Sequence, residues 1–248
     1  METTFRKGNS RLWDICKKLY IEHRKTILIT ICAYLGGCMV IGIWQGMSGS
    51  LAEDGSKVAY VFISGLICAV AASLTFNDLS TKEGRIAFLM TPGTALDKFM
   101  PRVITTVIGM CVLAFIGYYV WIMTDVLALG LKTSVWVPLT FYTPQFWSSQ
   151  EEFLGFALLV SLFLFNESLY IFGAAAWPKK SFLKTTAIFI ALQIVLNIIA
   201  LLIFRNFDIN YKSLDVELFG WIAVGIMLAI DAALIYAAYK NIERKQVI

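Results

Sequence analysis

The chain is short of the residues that perform chemistry. It holds one histidine, His23, among 248 residues, and that histidine lies in a basic stretch away from any acidic cluster. Nucleophile–base pairs and histidine-based metal sites therefore have no donor set, and neither a catalytic residue nor a metal ligand is expected. Five cysteines, at positions 16, 32, 38, 68 and 111, show no CxxC spacing, and four of them fall in or near long apolar runs. They read as small packing residues and not as a disulfide or redox framework. A G-x-x-x-x-G-K-[ST] phosphate loop is also missing: Gly173 is followed by Ala-Ala-Ala-Trp-Pro-Lys-Lys-Ser, with no second glycine. No cofactor is expected on this chain, and any ATP and Mg it depends on would sit on a partner.

Charge is scarce as well. Charged residues make up 15% of the chain against 58% hydrophobic, and the mean hydropathy is +0.72, which excludes an ordinary soluble domain of this size. Alternation at period two is absent, which argues against a membrane β-barrel. The apolar residues come instead in six blocks, at 26–44, 59–74, 103–126, 153–172, 182–204 and 218–239. A spanning helix needs about 20 such residues, so the expected fold class is an all-α integral membrane protein with six transmembrane helices. The expected organisation is one transmembrane domain over 1–248: a cytoplasmic amphipathic helix at 1–25, a six-helix bundle at 26–239 and a cytoplasmic tail at 240–248.

Orientation follows from Lys and Arg, which stay on the cytoplasmic side of span ends. Seventeen of the 21 lie in residues 1–25, in 75–102, around the 173–184 turn and in the tail, whereas only Lys57, Lys132, Arg205 and Lys212 occupy the other loops. Both termini are thus expected in the cytoplasm, with the chain multi-pass in the cell (inner) membrane. The net charge of +4 is then a matter of topology, and no nucleic-acid partner is expected. The first 25 residues are too charged to read as a cleavable signal peptide.

Two segments carry more information than the spans. Within 11–25, Leu12, Ile15, Cys16, Leu19 and Tyr20 recur at i, i+3, i+4, i+7 and i+8, opposite Asp14, Lys17, Lys18 and Glu22. That is the stripe of an interfacial amphipathic helix, apolar side toward membrane lipid. The second segment is 80–102. Its S-x-x-E run, Ser80 to Glu83, has the form of a capping box opening a short helix, and Pro92-Gly93 ends that helix. Thr94 can cap a second turn, and Pro101 suits the first turn of the third span. The expected product is a helix–turn–helix elbow, with charges facing water and Ile86, Phe88, Leu89, Leu96 and Phe99 offering apolar contact.

Six spans, a preceding amphipathic helix and an elbow carrying Glu83, Gly84, Leu89, Pro92 and Lys98 together resemble the ABC-2 type permeases of ABC exporters. The resemblance implies that the elbow is a coupling helix docking on a separate cytoplasmic ABC ATPase subunit, with Glu83, Gly84, Arg85, Leu89, Pro92, Asp97 and Lys98 as coupling residues. It also implies a second permease chain, in a homo- or heterodimer, and an amphipathic substrate: a peptide antibiotic, a drug or a lipid. The family's hairpin between spans five and six has little room here, since only residues 205–217 are available. The longer outer loop falls at 127–152, with Trp136, Phe141, Tyr142, Phe146 and Trp147. A different function fits the same elbow: a non-transporting scaffold or sensor that binds a cytoplasmic partner.

Polar residues inside the spans are the remaining signal, because a carboxylate at mid-bilayer costs about 2.5–3.5 kcal/mol and usually faces a bundle interior. Asn166, Glu167, Asn197 and Asp231 are the candidates for a translocation path. Gln193 and Asn197, four apart on one face, also suit plain interhelical hydrogen bonding. Gly36, Gly37, Gly42 and Gly46 permit close helix approach in the first span.

Overall fold

Long apolar blocks leave the backbone one way to satisfy itself in hydrocarbon, which is to close its hydrogen bonds within each segment. A computed structural model describes residues 2–48, 54–91, 93–133, 150–206 and 216–247. Among these the secondary structure is all helical: α1 (Glu2–Ser48), α2 (Asp54–Leu74), a 3-10 turn (Asn77–Ser80), α3 (Lys82–Met90), α4 (Ala95–Thr133), α5 (Gln150–Ala176), α6 (Ser181–Asn206) and α7 (Val216–Val247). Five of the described helices, α1, α4, α5, α6 and α7, contain stretches long and apolar enough to cross a membrane. In α2 the apolar stretch is shorter, Tyr60–Leu74.

The helices overrun the expected spans. With 47 residues, α1 is about 70 Å long at 1.5 Å per residue, more than twice the ~30 Å hydrocarbon core. The separate helix expected at 11–25 is continuous with the first span, since nothing between Arg24 and Leu28 stops a helix. The side chains of Leu12, Asp14, Ile15, Cys16, Lys18, Leu19 and Glu22 lie outside the described residues, while Tyr20 is exposed. Likewise α4 starts at Ala95 and runs through Pro101, so the elbow's second turn is fused to the third span and does not precede it. Proline tolerates this interior position at the loss of one backbone hydrogen bond. Because α4 continues to Thr133, the loop expected from 127 begins later. Trp136, Phe141, Tyr142, Phe146 and Trp147 lie outside the described residues.

The chain divides into two compact units, Met1–Ala71 with Gly93–Pro144, and Ala72–Pro92 with Gln145–Ile248. Each is organised around one pair of helices.

In the first unit α1 packs on α4, and the two run parallel. Tyr34 abuts Gly117, Gly42 meets Thr124, and Gly46 meets Ala128. The contact is close because the glycines lack side chains: a Cβ on Gly46 would lie 2.5 Å from the Asp125 carbonyl oxygen and 2.6 Å from Ala128 Cβ. Gly42 and Gly46 thus form a small-residue seam at i, i+4. Gly36 has open space around its Cβ position and Gly37 only an ordinary contact at 3.9 Å, so two of the four glycines set the approach. At the end of the pair Lys132 Nζ donates to the Met47 carbonyl at 2.6 Å, satisfying an orphan acceptor in the last turn of α1.

In the second unit α5 packs on α7, again in parallel. Leu154 lies against Gly220, Ser161 Oγ reaches Met227 Sδ at 3.5 Å, and Ser168 meets Asp231. Here too a lysine closes the end: Lys245 Nζ donates to the carbonyls of Ala175 at 2.5 Å and Ala176 at 3.3 Å. The helix α6 returns antiparallel to α5 through residues 177–180, where Lys180 takes a positive φ of 56°. Gly173 leaves room for Thr185, and the Tyr170 and Thr186 hydroxyls meet at 2.9 Å.

Candidate functional site

The elbow is built by local capping. Thr81, not Ser80, is the N-cap of α3: its backbone is extended (φ −100°, ψ 155°), and its hydroxyl accepts from Gly84 N at 3.1 Å. Ser80 is consumed as the last residue of the 3-10 turn, which moves the helix start by one residue and takes Glu83 out of the capping-box position. The halves of the elbow fall in different units, dividing between Pro92 and Gly93. Pro92 lies outside the described residues, and Gly93 takes φ +141°, a conformation that requires glycine. In the second half Thr94 and Asp97 cap each other, Thr94 N donating to Asp97 Oδ2 at 3.0 Å and Asp97 N to Thr94 Oγ1 at 3.2 Å. That is the reciprocal box the sequence lacks at Ser80.

The expected division of the elbow into wet charges and apolar contacts needs correction. Lys98 is only 6% exposed, and Phe88 and Phe99 are buried. Gly84 is structural, since a Cβ there would collide with the Asp78 carbonyl, so the 3-10 turn can fold under α3. With Gly84 and Phe88 turned inward at i, i+4, the opposite side of α3 presents Glu83, Ile86 and Met90, and Met90 is 79% exposed. Between these faces Arg85 and Leu89 line a cavity of about 540 Å³, which lies between α3 and the ends of α5, α6 and α7. Met90 was not legible as part of the surface, because its direction depends on where the cap sits.

The polar residues of the spans separate by position. Glu167 on α5 is 0% exposed and both its carboxylate oxygens lack a hydrogen-bond partner among the described residues. One residue on, Ser168 Oγ lies 2.8 Å from Asp231 Oδ1 of α7, and 3.0 Å from the Phe165 carbonyl within its own helix. Asp231 is 6% exposed, and its Oδ2 is unpartnered. The α5–α7 seam therefore brings Glu167 and Asp231 to one level of the second unit. Asn166 is half-buried on the flank of α5. Asn197 and Gln193 are exposed on α6 and make no interhelical hydrogen bond among the described residues.

A second polar seam, not evident from the amino-acid sequence, lies in the first unit. Tyr34 on α1 is fully buried, with its hydroxyl 2.9 Å from Ser64 Oγ and 3.1 Å from the Tyr60 hydroxyl on α2. The Tyr60 hydroxyl also donates to the Ala114 carbonyl of α4 at 2.6 Å, and its ring stacks on Trp121 with centroids 5.2 Å apart. Trp121 Nε1 donates to Gln45 Oε1 at 3.1 Å, leaving Gln45 Nε2 without a partner. Four residues beyond Trp121, Asp125 is 2% exposed with Oδ1 unpartnered. Its signal was a carboxylate inside the third apolar block, masked by its place near the end of that block.

Chemically, each unit offers a buried carboxylate with spare acceptor capacity on a parallel helix pair. Such groups call for a hydrogen-bond donor or a cation, and they mark pathways more often than packing. Among the described residues no group of three His, Cys, Asp or Glu side chains is placed to hold a metal ion. No protein-family model, curated protein or solved structure matches the chain.

Proposed function

We propose that the chain is the membrane-spanning permease subunit of an ATP-driven exporter of the ABC-2 type, paired with a second permease chain and worked by a separate cytoplasmic ATPase subunit. The observation that carries this reading is α3: a short, capped helix with Phe88 buried and the outer face of Glu83, Ile86 and Met90 left exposed. A rigidly seated helix with an apolar tip and flanking charge suits a groove on a protein partner. The chain itself supplies no catalytic residue in this scheme. Closure of the ATPase pushes on α3, and the buried carboxylates Glu167 and Asp231 of the α5–α7 seam line the path that opens.

The parallel helix pairs support six spans. A chain that leaves α1 at one face of the membrane and enters the parallel α4 must first return to the face where α1 began. The helix α2 is the segment available to make that crossing, even though its apolar stretch is short. The same argument requires α6 to cross between the parallel α5 and α7. Single cysteines in a background lacking the native ones test this. Positions Ser48 and Thr133 are expected to react with a membrane-impermeant reagent from outside the cell, and Leu96 and Lys180 only after permeabilisation. Labelling of Ser48 and Leu96 from the same side would remove α2 from the count of spans.

The functional test is reconstitution with the ATPase. Met90→Asp is expected to lower permease-stimulated ATP turnover at least tenfold, because loss of an apolar anchor at an interface centre costs about 2 kcal/mol or more. Charge reversal at Glu83 is expected to do less, as a rim charge does. Unchanged turnover and unchanged co-purification in both variants would favour the scaffold or sensor reading.

A further inference from the structure

The cavity under α3 has a lining of one sign. Four cationic side chains, Arg85, Lys179, Lys184 and Lys245, border it, and no carboxylate does among the described residues. Two of them are partly engaged: Arg85 Nε donates to the Thr81 carbonyl at 3.3 Å, and Lys245 holds the end of α5. Lys179 and Lys184 are exposed and extend the charge to the rim. The rest of the wall is apolar and aromatic, with Leu79, Phe88, Leu89, Trp177 and Ile242. Its volume of about 540 Å³ falls within the range of small-molecule sites, about 300–1,000 Å³.

Position decides between soluble and membrane-borne anions. The cavity lies where α5 and α7 end and α6 begins, at the level where spanning helices leave the hydrocarbon. Trp177, half-exposed there, is the residue type that settles among lipid headgroups. An inorganic phosphate would satisfy the cations and leave the apolar wall uncovered. A molecule with a phosphate at one end and acyl chains at the other covers both. The geometry points to a binding site for an anionic phospholipid, its phosphate held by Lys179, Lys184 and Arg85 and its upper acyl region against Phe88, Leu89 and Trp177. The lipid wedges α3 against the ends of α5, α6 and α7, so its occupancy sets how firmly the outer face of α3 is held. This assignment needs only a membrane location and stands whether or not the chain is a permease.

The test uses the full chain in detergent micelles, titrated with phosphatidylglycerol or with phosphatidylcholine of the same acyl chains and followed by native mass spectrometry. Phosphatidylglycerol is expected to be retained in preference. The double variant Lys179→Gln/Lys184→Gln is expected to weaken that retention about thirtyfold, the effect of removing two near-surface cations. Lys179→Arg/Lys184→Arg is expected to keep it. A matched loss of charge at exposed lysines outside the cavity lining, Lys82→Gln/Lys240→Gln, should leave it unchanged. A second reading does not depend on any lysine variant folding: brominated phosphatidylglycerol should quench a component of tryptophan fluorescence that Trp177→Phe removes. Equal retention of the two lipids would overturn the assignment, as would equal weakening by the Lys82/Lys240 control. Glycerol phosphate competing as well as the lipid would make this a soluble-anion site. Loss of ATPase binding in the Lys179/Lys184 variant, with lipid preference intact, would give the cavity to the protein partner instead.

Discussion

Gly46→Ala destabilises the protein and Gly36→Ala does not. The two substitutions add the same methyl group to the same helix, ten residues apart. At Gly46 the new Cβ is driven to within 2.5 Å of the Asp125 carbonyl oxygen and 2.8 Å of Leu129 N, both backbone atoms that cannot step aside without moving α4. Overpacking of this kind costs about 1–3 kcal/mol, and the upper end is expected where backbone is the obstacle. At Gly36 there is nothing within 4 Å, so the higher helix propensity of alanine is free to act and contributes up to about 1 kcal/mol of stability. The expected result is a pair of shifts of opposite sign in the unfolding midpoint in mild detergent. Equal shifts would mean that α1 and α4 do not meet along the Gly42–Gly46 seam.

Glu167→Leu raises stability and, on the permease reading, lowers coupled turnover, whereas Asp231→Leu gains less stability because a serine bond is lost with it. Glu167 is buried with neither oxygen bonded among the described residues, a state that costs about 2.5–3.5 kcal/mol in a membrane interior. Leucine relieves that cost, and a gain of a few kcal/mol is expected. On the permease reading the carboxylate is kept for work on a transported group, so permease-dependent ATP turnover is expected to fall in Glu167→Leu and in Glu167→Gln alike. Asp231 differs because Ser168 Oγ lies 2.8 Å from its Oδ1. Asp231→Leu removes that bond but leaves the serine its Phe165 carbonyl at 3.0 Å, so a smaller gain than for Glu167→Leu is expected, while Asp231→Asn keeps an acceptor in place. A Glu167→Leu variant less stable than the parent would show that the carboxylate has a stabilising partner, and its role in the path would be withdrawn.

The helices were legible in the amino-acid sequence because hydrocarbon imposes one backbone solution on a long apolar block. Their ends were not. Pro101 reads as a first-turn proline, yet Thr94 and Asp97 cap the helix seven residues earlier, and a local bond outweighs a propensity. The start of α3 shifted from Ser80 to Thr81 for a related reason: the 3-10 turn uses Ser80, and its existence depends on Gly84 admitting the Asp78 carbonyl. That one-residue change decides that Met90 points outward. The buried carboxylates Glu167 and Asp231 were legible from cost alone. Asp125 was not, since hydropathy near the end of a block does not say whether a side chain meets water. Tyr34 and Gln45 became visible only when α4 was placed beside α1, because a tyrosine or glutamine in a span has no preferred direction until its neighbour is known. The same holds for the glycines, of which the seam selects Gly42 and Gly46 over Gly36 and Gly37.

What meets the outer face of α3 decides the permease reading, and a photoreactive amino acid placed at Met90 in native membranes measures it directly. After illumination the expected product is an adduct between this chain and a soluble protein that contains a G-x-x-x-x-G-K-[ST] loop, with the same residue placed at Lys132 giving no such adduct. An adduct only to a protein without a nucleotide-binding loop, or equal capture of the ATPase from Met90 and Lys132, would contradict the permease reading.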